Sequence, residues 1–254
     1  MVPTDPRHQK ILELIEEHSS ARVPELSLTL GVSEATIRRD LEKLARNGHV
    51  QRTHGGAVLA RTAESEPPVL HRAVERLAEK QRIGRAAAAL IQDGEAVFIG
   101  AGTTTMEVAR NLRECKNLTV ITNALTVTNL LASQEGISLV STGGLLRSAE
   151  LCFLGHIAEQ TMRQLRPQKV ILGARTVSIE DGLTSDYLPE VTTDRAIIES
   201  GQEVILVADH TKFGKVSPAF IAPITSISKL VTDEQTPPET IDRLKEMGID
   251  VVVG

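Results

Sequence analysis

Two neighbouring arginines, Arg38 and Arg39, lie in a segment whose composition is typical of a cationic helix face. A guanidinium is planar and permanently charged, and it can donate paired hydrogen bonds to a guanine edge or to a phosphate. Thr36 and Lys43 belong to the same segment, and Arg52 follows it. These residue types favour contact with the bases and phosphates of a nucleic acid. The alternative interpretation of such an arginine pair is a solvated helix face.

The spacing of apolar residues predicts the helix that carries this pair. Ser33 is a favourable N-cap because its hydroxyl can accept a backbone N–H of the first turn. Ile37, Leu41 and Leu44 recur at helical spacing and form a narrow apolar stripe that leaves the two arginines outside it. The sequence therefore predicts an amphipathic helix that begins after Ser33 and presents a cationic face.

Further signals on both sides complete a small domain. Ile11, Leu14 and Ile15 predict a first helix, and Pro24–Leu30 is typical of a short second helix that ends at Gly31. After the third helix, apolar residues flank a glycine-containing turn within residues 49–59, which predicts two short strands. Three helices followed by a hairpin predict a winged helix-turn-helix.

The distribution of charge agrees with a nucleic-acid-binding segment. The whole chain has 28 Lys+Arg against 33 Asp+Glu and a net charge of -5. From Thr36 to Arg61, however, six residues are basic and two are acidic. A local basic patch on an acidic protein can bind phosphates without coating every polyanion. With one Tyr, four Phe and no Trp, the chain lacks residues for base stacking, so a duplex is the favoured partner.

A second group of chemistry-bearing residues lies in a glycine- and threonine-rich turn, Gly100–Thr105, which precedes a predicted helix at Met106–Leu112. Glycines let backbone N–H groups approach an anion, threonine hydroxyls can donate, and the helix dipole favours negative charge. Alone, such a turn is usually only a tight connection. The sequence indicates a phosphate cradle only if other polar loops lie at the same place.

Seven short apolar runs alternate with helical segments, among them Glu79–Ile91, and this alternation predicts a mostly parallel sheet covered by helices. The predicted strands are Ala96–Gly100, Leu118–Thr122, Ile137–Ser141, Lys169–Gly173, Glu203–Ala208, Lys229–Thr232 and Asp250–Val253. Ligands of such sheets bind beyond the carboxyl ends of the strands.

The polar loops that follow these strands give a set of candidate anion-binding residues. The uncharged candidates are Gly102, Thr103, Thr104, Thr105, Thr122, Asn123, Gly143 and Gly144. The charged candidates are Arg147, Arg175, Asp186 and Lys212. Lys212 could contact a phosphate and Asp186 could accept hydroxyl hydrogens, while a surface ammonium and a turn cap are the alternative interpretations.

The sequence resembles the DeoR family of bacterial transcriptional regulators. Val32–Leu41 matches the family's Val-Ser-x-x-Thr-Ile-Arg-Arg-Asp-Leu helix, and Arg52–Ala57 matches its Arg-x-His-Gly-Gly-Ala turn. The Gly-Thr-Thr-Thr, Thr-Asn, Gly-Gly and Asp-x-x-Lys-Phe-Gly segments, and Glu79-Lys80, also resemble the family, so the likeness runs from about His8 to the end. Gly100-Ala101 and Gly173–Thr176 depart from the usual family pattern, which leaves the identity of the effector open.

The resemblance implies partners and site residues. It implies a ribose-5-phosphate-isomerase-like effector domain that senses phosphorylated sugars or related metabolites, and a homo-oligomer, dimer or tetramer, that binds double-stranded operator DNA, most often as a repressor of a carbohydrate operon. The DNA-binding residues predicted from the motif are Ser33, Thr36, Arg38, Arg39, Lys43, Arg52 and His54. For His54 the alternative is a hydrogen bond within the turn.

The predicted organisation is a winged helix-turn-helix at 1–60, a linker at 61–78 and an effector domain at 79–254. The linker prediction rests on a stretch with adjacent prolines and no apolar periodicity. Cys115 and Cys152 are too few and too far apart for a disulfide framework or a zinc site, so we expect no metal or cofactor. Because Met1–His8 resembles neither a signal peptide nor an apolar span, we expect a cytoplasmic protein without a membrane segment.

Two other functions stay open at this point. An isomerase could use Asp181, Asp186 or Glu190 to transfer protons while Lys212 holds a phosphate. Alternatively, the N-terminal domain could be a protein-interaction module. The leading prediction is a sequence-specific, non-enzymatic regulator.

Overall fold

A computed structural model of the chain describes residues 5–18, 21–46, 50–53, 55–59, 68–112 and 115–254. The chain divides into two compact units, Met1–Glu66 and Pro67–Gly254. The helices of the first unit are α1 Pro6–His18, α2 Val23–Leu30 and α3 Glu34–Arg46. Its strands are β1 Ala21–Arg22, β2 Val50–Thr53 and β3 Gly56–Leu59. The predicted three helices and hairpin are therefore confirmed.

The core of the first unit is built from the apolar stripe of α3. Ile37, Leu41 and Leu44 are all 0% exposed, and they pack with buried residues of α1 and α2. Gly31 ends α2 in the left-handed region at φ 64°, as a glycine after the last helical turn allows. β2 and β3 pair antiparallel, and the short β1, which the sequence did not reveal, adds to β3.

The second unit contains a seven-stranded sheet, two small antiparallel sheets and the helices that cover them. Its helices are α4 Val69–Arg72, α5 Leu77–Ala88, α6 Thr103–Arg110, α7 Leu125–Leu131, α8 His156–Gln164, α9 Val191–Ser200 and α10 Pro238–Glu246. The strands of the large sheet are β4 Ala96–Ile99, β5 Leu118–Thr122, β6 Ile137–Ser141, β9 Lys169–Gly173, β12 Glu203–Val207, β14 Lys229–Thr232 and β15 Asp250–Val253. The small sheets contain β7 Leu145–Arg147, β8 Cys152–Leu154, β10 Thr176–Ser178, β11 Gly182–Ser185 and β13 Ala219–Ala222.

All seven strands predicted from the sequence enter the large sheet, whose order is β15-β14-β12-β9-β4-β5-β6. Every neighbouring pair in it is parallel. Successive residues of one strand face opposite sides, so Val97 and Ile99 join one core while Phe98 joins the other. Helices α5, α6 and α7 cover the first side, and α8, α9 and α10 cover the second. The predicted α/β class is confirmed.

The order of the sheet fixes where a ligand can bind. After β4 the chain builds β5 and β6 on one side, and β9 then returns to the other side of β4. Ligands of open parallel sheets bind at such a reversal, outside the carboxyl ends of the strands. Here the loops after β4 and β9 meet that condition.

Among the helices of the described residues, none combines the length and apolar character needed to cross a bilayer. Residues 68–78, which the sequence placed in a linker, include α4 and the start of α5, and they belong to the second compact unit.

Candidate nucleic-acid interface and anion site

The surface of α3 opposite its apolar stripe carries the predicted cationic residues. Arg38, Arg39 and Lys43 are all exposed. Ser33 caps the helix, since its Oγ accepts the N–H of Thr36 at 3.3 Å. The two hydroxyls of Ser33 and Thr36 lie 3.0 Å apart. The described residues of this face thus combine short hydroxyl side chains with long cations.

The contacts of these cations are exposed and weak. Arg38 donates to Glu34 at 2.8 Å, one helical turn away. Arg52, on the hairpin, donates to the carbonyl of Arg38 at 3.5 Å and lies 3.7 Å from Glu42. Exposed i,i+4 pairs contribute only about 0.3–0.5 kcal/mol, so a phosphate can replace such partners at little cost. His54 lies outside the described residues.

Asp40, which follows the arginine pair, has a different role. It is 3% exposed and accepts hydrogen bonds from Arg7 Nε at 2.7 Å and Nη2 at 3.3 Å. Its other contact is with His8 Nε2, at 3.2 Å. Burial acts to raise the pKa of Asp40, but the hydrogen bonds and charges of Arg7 and His8 outweigh it and lower that pKa. Asp40 therefore fixes α3 to α1 and does not face solvent.

The glycine-threonine turn forms the start of α6. Gly102 precedes the helix with φ 139°, a backbone conformation that favours glycine. Thr103, Thr104 and Thr105 are buried at 7%, 8% and 0% exposure, and Thr105 Oγ1 donates to the carbonyl of Gly102 at 3.0 Å. The first backbone N–H groups of a helix have no partner within the helix. This turn therefore places the N-terminal end of a helix at the carboxyl edge of β4, as the predicted phosphate cradle requires.

Thr122, the last residue of β5, and Asn123, which follows it, have different roles. Thr122 Oγ1 donates to the carbonyl of Ile99 at 2.6 Å and accepts the N–H of Ala124 at 2.9 Å, so its hydroxyl ties β5 to β4. Asn123 is 5% exposed, and its Nδ2 donates to the carbonyl of Phe153 at 3.2 Å. Its Oδ1 is buried without a hydrogen-bond partner among the described residues. A buried acceptor of this kind suits a hydroxyl of a ligand.

The glycines after β6 have a packing role. A Cβ on Gly144 would lie 2.7 Å from the carbonyl oxygen of Leu154, and its φ is 120°. Gly143 has φ 65°. Gly144 therefore permits the close approach of β8, while Gly143 adopts the left-handed conformation of the turn.

Three of the predicted charged residues meet near the ends of β9 and β12. Arg175 donates to Asp186, with Nη2 and Oδ2 3.1 Å apart. The half-buried Lys212 lies within electrostatic range of Arg175 and of the buried carboxylate of Asp209. Burial, reinforced by neighbouring cations, lowers the pKa of Lys212 despite the opposing charge of Asp209. For Asp209, burial is outweighed by hydrogen bonds from Thr211 and by the charge of Lys212, so its pKa is lowered.

Lys80 and Arg72 are two further cations that the sequence reasoning did not place in this site. Lys80 is 5% exposed and its Nζ donates to the carbonyl of Arg72 at 2.7 Å. Burial lowers the pKa of Lys80, and the charges of Lys212 and Arg72 lower it further, while Asp209 opposes them. The family resemblance at Glu79-Lys80 was the only signal for it in the sequence. We call Arg72, Lys80, Arg175 and Lys212 the cation cluster.

Arg147, in contrast, belongs to a second set of charges at the β7–β8 hairpin. It pairs with Glu190 and lies over the ring of Tyr187, 3.8 Å from its centroid. Burial raises the pKa of Glu190. It also raises the pKa of Asp194, to which the charge of Glu190 contributes. Arg147 is therefore engaged by Glu190 and Tyr187 at this hairpin.

The carboxylates considered for isomerase chemistry are all engaged in local contacts. Asp181 accepts from Ser178 Oγ at 2.9 Å, and Glu190 accepts from Ser185 Oγ at 2.7 Å. Asp186 pairs with Arg175. These contacts are those of turn caps and ion pairs.

The first unit is a winged helix-turn-helix with an exposed cationic helix, and the second is a parallel-sheet unit with a cation cluster. This combination is typical of DNA-binding regulators that carry a sensor domain. Family models agree along the chain. Residues 7–63 match the DeoR-like helix-turn-helix domain, and residues 75–234 match the DeoR C terminal sensor domain. The chain therefore belongs to the DeoR family of transcriptional regulators.

Two relatives match this chain over nearly their whole length. The transcriptional repressor AccR of Agrobacterium fabrum is 38% identical over 92% of this chain and 91% of its own length. The glycerol-3-phosphate regulon repressor of Escherichia coli is 34% identical over 96% of this chain and 97% of its own length. These relatives are regulators, and they give the isomerase alternative no support.

Among solved structures, the chain is similar to ribose 5-phosphate isomerase A of Methanocaldococcus jannaschii, with 17% sequence identity. The match covers 53% of each chain with a TM-score of 0.38.

Proposed function

We propose that this regulator is a repressor of a carbohydrate-metabolism operon and that a phosphorylated sugar bound in its second unit changes its affinity for operator DNA. Two observations carry the proposal together: α3 presents an exposed cationic face, and the cation cluster, in which Lys80 is buried, lies at the carboxyl edge of the parallel sheet. The likeness to the glycerol-3-phosphate regulon repressor of Escherichia coli supports the same class of target.

In the proposed DNA complex, α3 enters the major groove. Thr36, Arg38 and Arg39 contact base edges, Lys43 contacts a phosphate, and Arg52 on the hairpin contacts the backbone beside the groove. The exposure of Arg38, Arg39 and Lys43 supports this assignment. Ser33 contributes by capping the helix whose first turn meets the DNA. The role of His54 stays a prediction from the motif.

In the proposed effector complex, a phosphate lies at the start of α6 and is neutralised by Lys80 and Lys212. The buried Oδ1 of Asn123 then accepts a hydrogen bond from a sugar hydroxyl. Support comes from the helix geometry at Gly102, from the burial of Lys80 and from Asn123, whose Oδ1 has no hydrogen-bond partner in the described part of the chain. An anion that spreads its charge over several oxygens suits several cations at once.

Control of DNA binding follows from linkage. A ligand changes DNA affinity only by the ratio of its affinities for the DNA-binding and non-binding conformations. We propose that the working form is a homo-oligomer, dimer or tetramer, in the cytoplasm, which binds a palindromic or repeated operator.

The test is a titration of the full chain with duplex DNA from the region flanking its own gene, at fixed salt. The variant Arg38→Glu with Arg39→Glu should lose specific binding. Arg163→Glu with Lys245→Glu makes the same change in net charge at two exposed residues of the second unit, and it should keep specific binding. Specific binding retained by the first variant would contradict the assignment of α3.

Repeating the titration with a panel of sugar phosphates tests the effector. At least one compound should shift DNA affinity in the wild type, and Lys212→Met should weaken its binding. If that compound is recovered chemically unchanged after long incubation, the result agrees with a sensor. Turnover of the compound would favour the isomerase alternative.

A further inference from the structure

The segment Pro68–Arg76, which we call the strap, is the first described part of the chain after the DNA-binding unit, and it is fixed on the second unit. Val69 is 2% exposed, and its N–H donates to the carbonyl of Ala149 at 2.8 Å. Arg72 forms an ion pair with Glu150, and their side chains are 16% and 12% exposed. The strap also packs against α6. It therefore connects the chain that enters from the DNA-binding unit to the helix that begins at the anion site.

The strap also contacts the cation cluster directly. The ammonium of Lys80 donates to the backbone carbonyl of Arg72, a neutral acceptor. This brings a buried ammonium close to a strap residue that itself carries a positive charge. Like charges that share a poorly solvated environment repel each other more strongly than they would in water.

The directions of the pKa shifts of Lys80 and Lys212 indicate that these cations repel one another. After burial, the positive charges of Lys212 and Arg72 are among the causes that lower the pKa of Lys80. The charge of Arg72 likewise lowers the pKa of Lys212. Asp209 opposes both effects, and Glu75 also opposes the effect on Lys80. Two further carboxylates, Glu150 and Asp186, pair with Arg72 and Arg175, but Lys80 and Lys212 still experience the repulsion of Arg72. An added dianion would therefore relieve repulsion between the strap and the site.

We propose that Arg72 is an effector-binding residue and that a phosphate bound at the start of α6 locks the strap onto the second unit. This inference rests on the proposed effector site and adds a residue and a route of coupling to it. A phosphate between Lys80, Lys212 and Arg72 turns mutual repulsion into shared attraction. Strap docking and phosphate binding then favour each other, as linkage requires. The ordered strap carries the signal to the chain that leads back to the DNA-binding unit.

Hydrogen exchange of peptides that cover residues 68–76 tests the locking. The full chain is compared in inorganic phosphate and in sodium chloride of equal ionic strength, and then with the sugar-phosphate panel. Exchange of the Val69 amide should slow in phosphate by roughly 5-fold or more, the lower end of typical couplings between sites. Unchanged or faster exchange in phosphate and with every panel compound would overturn the proposal.

Two variants separate ligand contact from a purely structural role of Arg72. Arg72→Gln should weaken phosphate binding by roughly 10-fold and abolish the slowing, because it removes a charged donor. Glu150→Gln also breaks the ion pair but leaves the guanidinium in place, so phosphate binding should be kept or tightened. Arg85→Gln removes the same charge from an exposed position of α5 and should change neither property. Equal weakening by Arg72→Gln and Glu150→Gln would show that Arg72 only holds the strap.

The outcome is separable from that of the proposed function. If a sugar phosphate shifts DNA affinity while strap exchange does not change, the effector proposal stands and the strap proposal fails. If phosphate slows strap exchange but no panel compound shifts DNA affinity, the strap proposal stands and the effector part of the proposed function fails.

Discussion

Replacing Leu41 with alanine should destabilise the DNA-binding unit and leave the sensor unit intact. Leu41 is 0% exposed and lies in the centre of the α3 stripe. Truncating a fully buried leucine costs about 2–5 kcal/mol, from lost burial and from the cavity left behind. At roughly 0.05–0.15 kcal/mol per residue, a unit as small as Met1–Glu66 has a total stability of roughly 3–10 kcal/mol. The substitution therefore removes a large share of the free energy of unfolding.

The assay follows the two units separately in the full chain. Hydrogen exchange of peptides from α1 to α3 should accelerate strongly in Leu41→Ala, and specific DNA affinity should fall with the folded fraction. Exchange in the strands of the large sheet should not change. Leu28→Ala is the matched control, because Leu28 also lies in a helix of this unit but is 88% exposed. Its effect on stability should stay within about 0.5 kcal/mol.

Equal stability of the two leucine variants would refute the position assigned to α3 in the core. So would a loss of stability confined to the sensor unit. Either result would mean that the apolar stripe does not hold α3 in place. The inference that the opposite, cationic face of α3 is exposed would then fail as well.

Three other predictions concern single residues. The pKa of Asp40 is lowered in the folded state. Its contribution to the free energy of unfolding is therefore complete above the ordinary pKa of about 4 and is lost as the pH falls through the lower pKa of the folded state. Asp40→Asn should remove this pH-dependent loss of stability, as measured by acid unfolding. Gly84→Ala should lower the melting temperature in calorimetry although alanine is favoured in helices by about 1 kcal/mol, because its Cβ would lie 2.7 Å from Glu107. Burial raises the pKa of the Cys152 thiol to about 12, so iodoacetamide at neutral pH should modify the partly exposed Cys115 first, as read by mass spectrometry.

The sequence predicted the large sheet well, for a physical reason. Strands buried on both faces need continuous apolar runs, and runs such as Glu203–Val207 stand out between helical segments. The β7–β8 hairpin and the β10–β11–β13 sheet were not predicted. Their strands have only three or four residues, for example Thr176–Ser178, which is too short to show a clear pattern. β13 in addition forms by pairing with a distant segment, β11.

The candidate site was predicted only in part. Loops that follow strands could be assigned to one edge from topology alone, and this placed Gly102 and Lys212. The importance of Lys80 and Arg72 depends on how α4 and α5 pack over that edge, which no local pattern encodes. Arg147 was grouped with the effector residues, but its partner Glu190 lies in another part of the chain and becomes visible only in the folded protein.

Because the strand order reverses at β4, the residues of the proposed effector site come from segments that are far apart in the sequence. Its walls come from the early strands β4 and β5 and from the late strands β9 and β12, with cations from the strap and α5 added on one side. A chain still emerging from the ribosome lacks part of the proposed site until the residues after β12, including Lys212, have been made. If the proposed effector site is correct, binding of the effector requires that synthesis and folding of the sensor unit have passed that point.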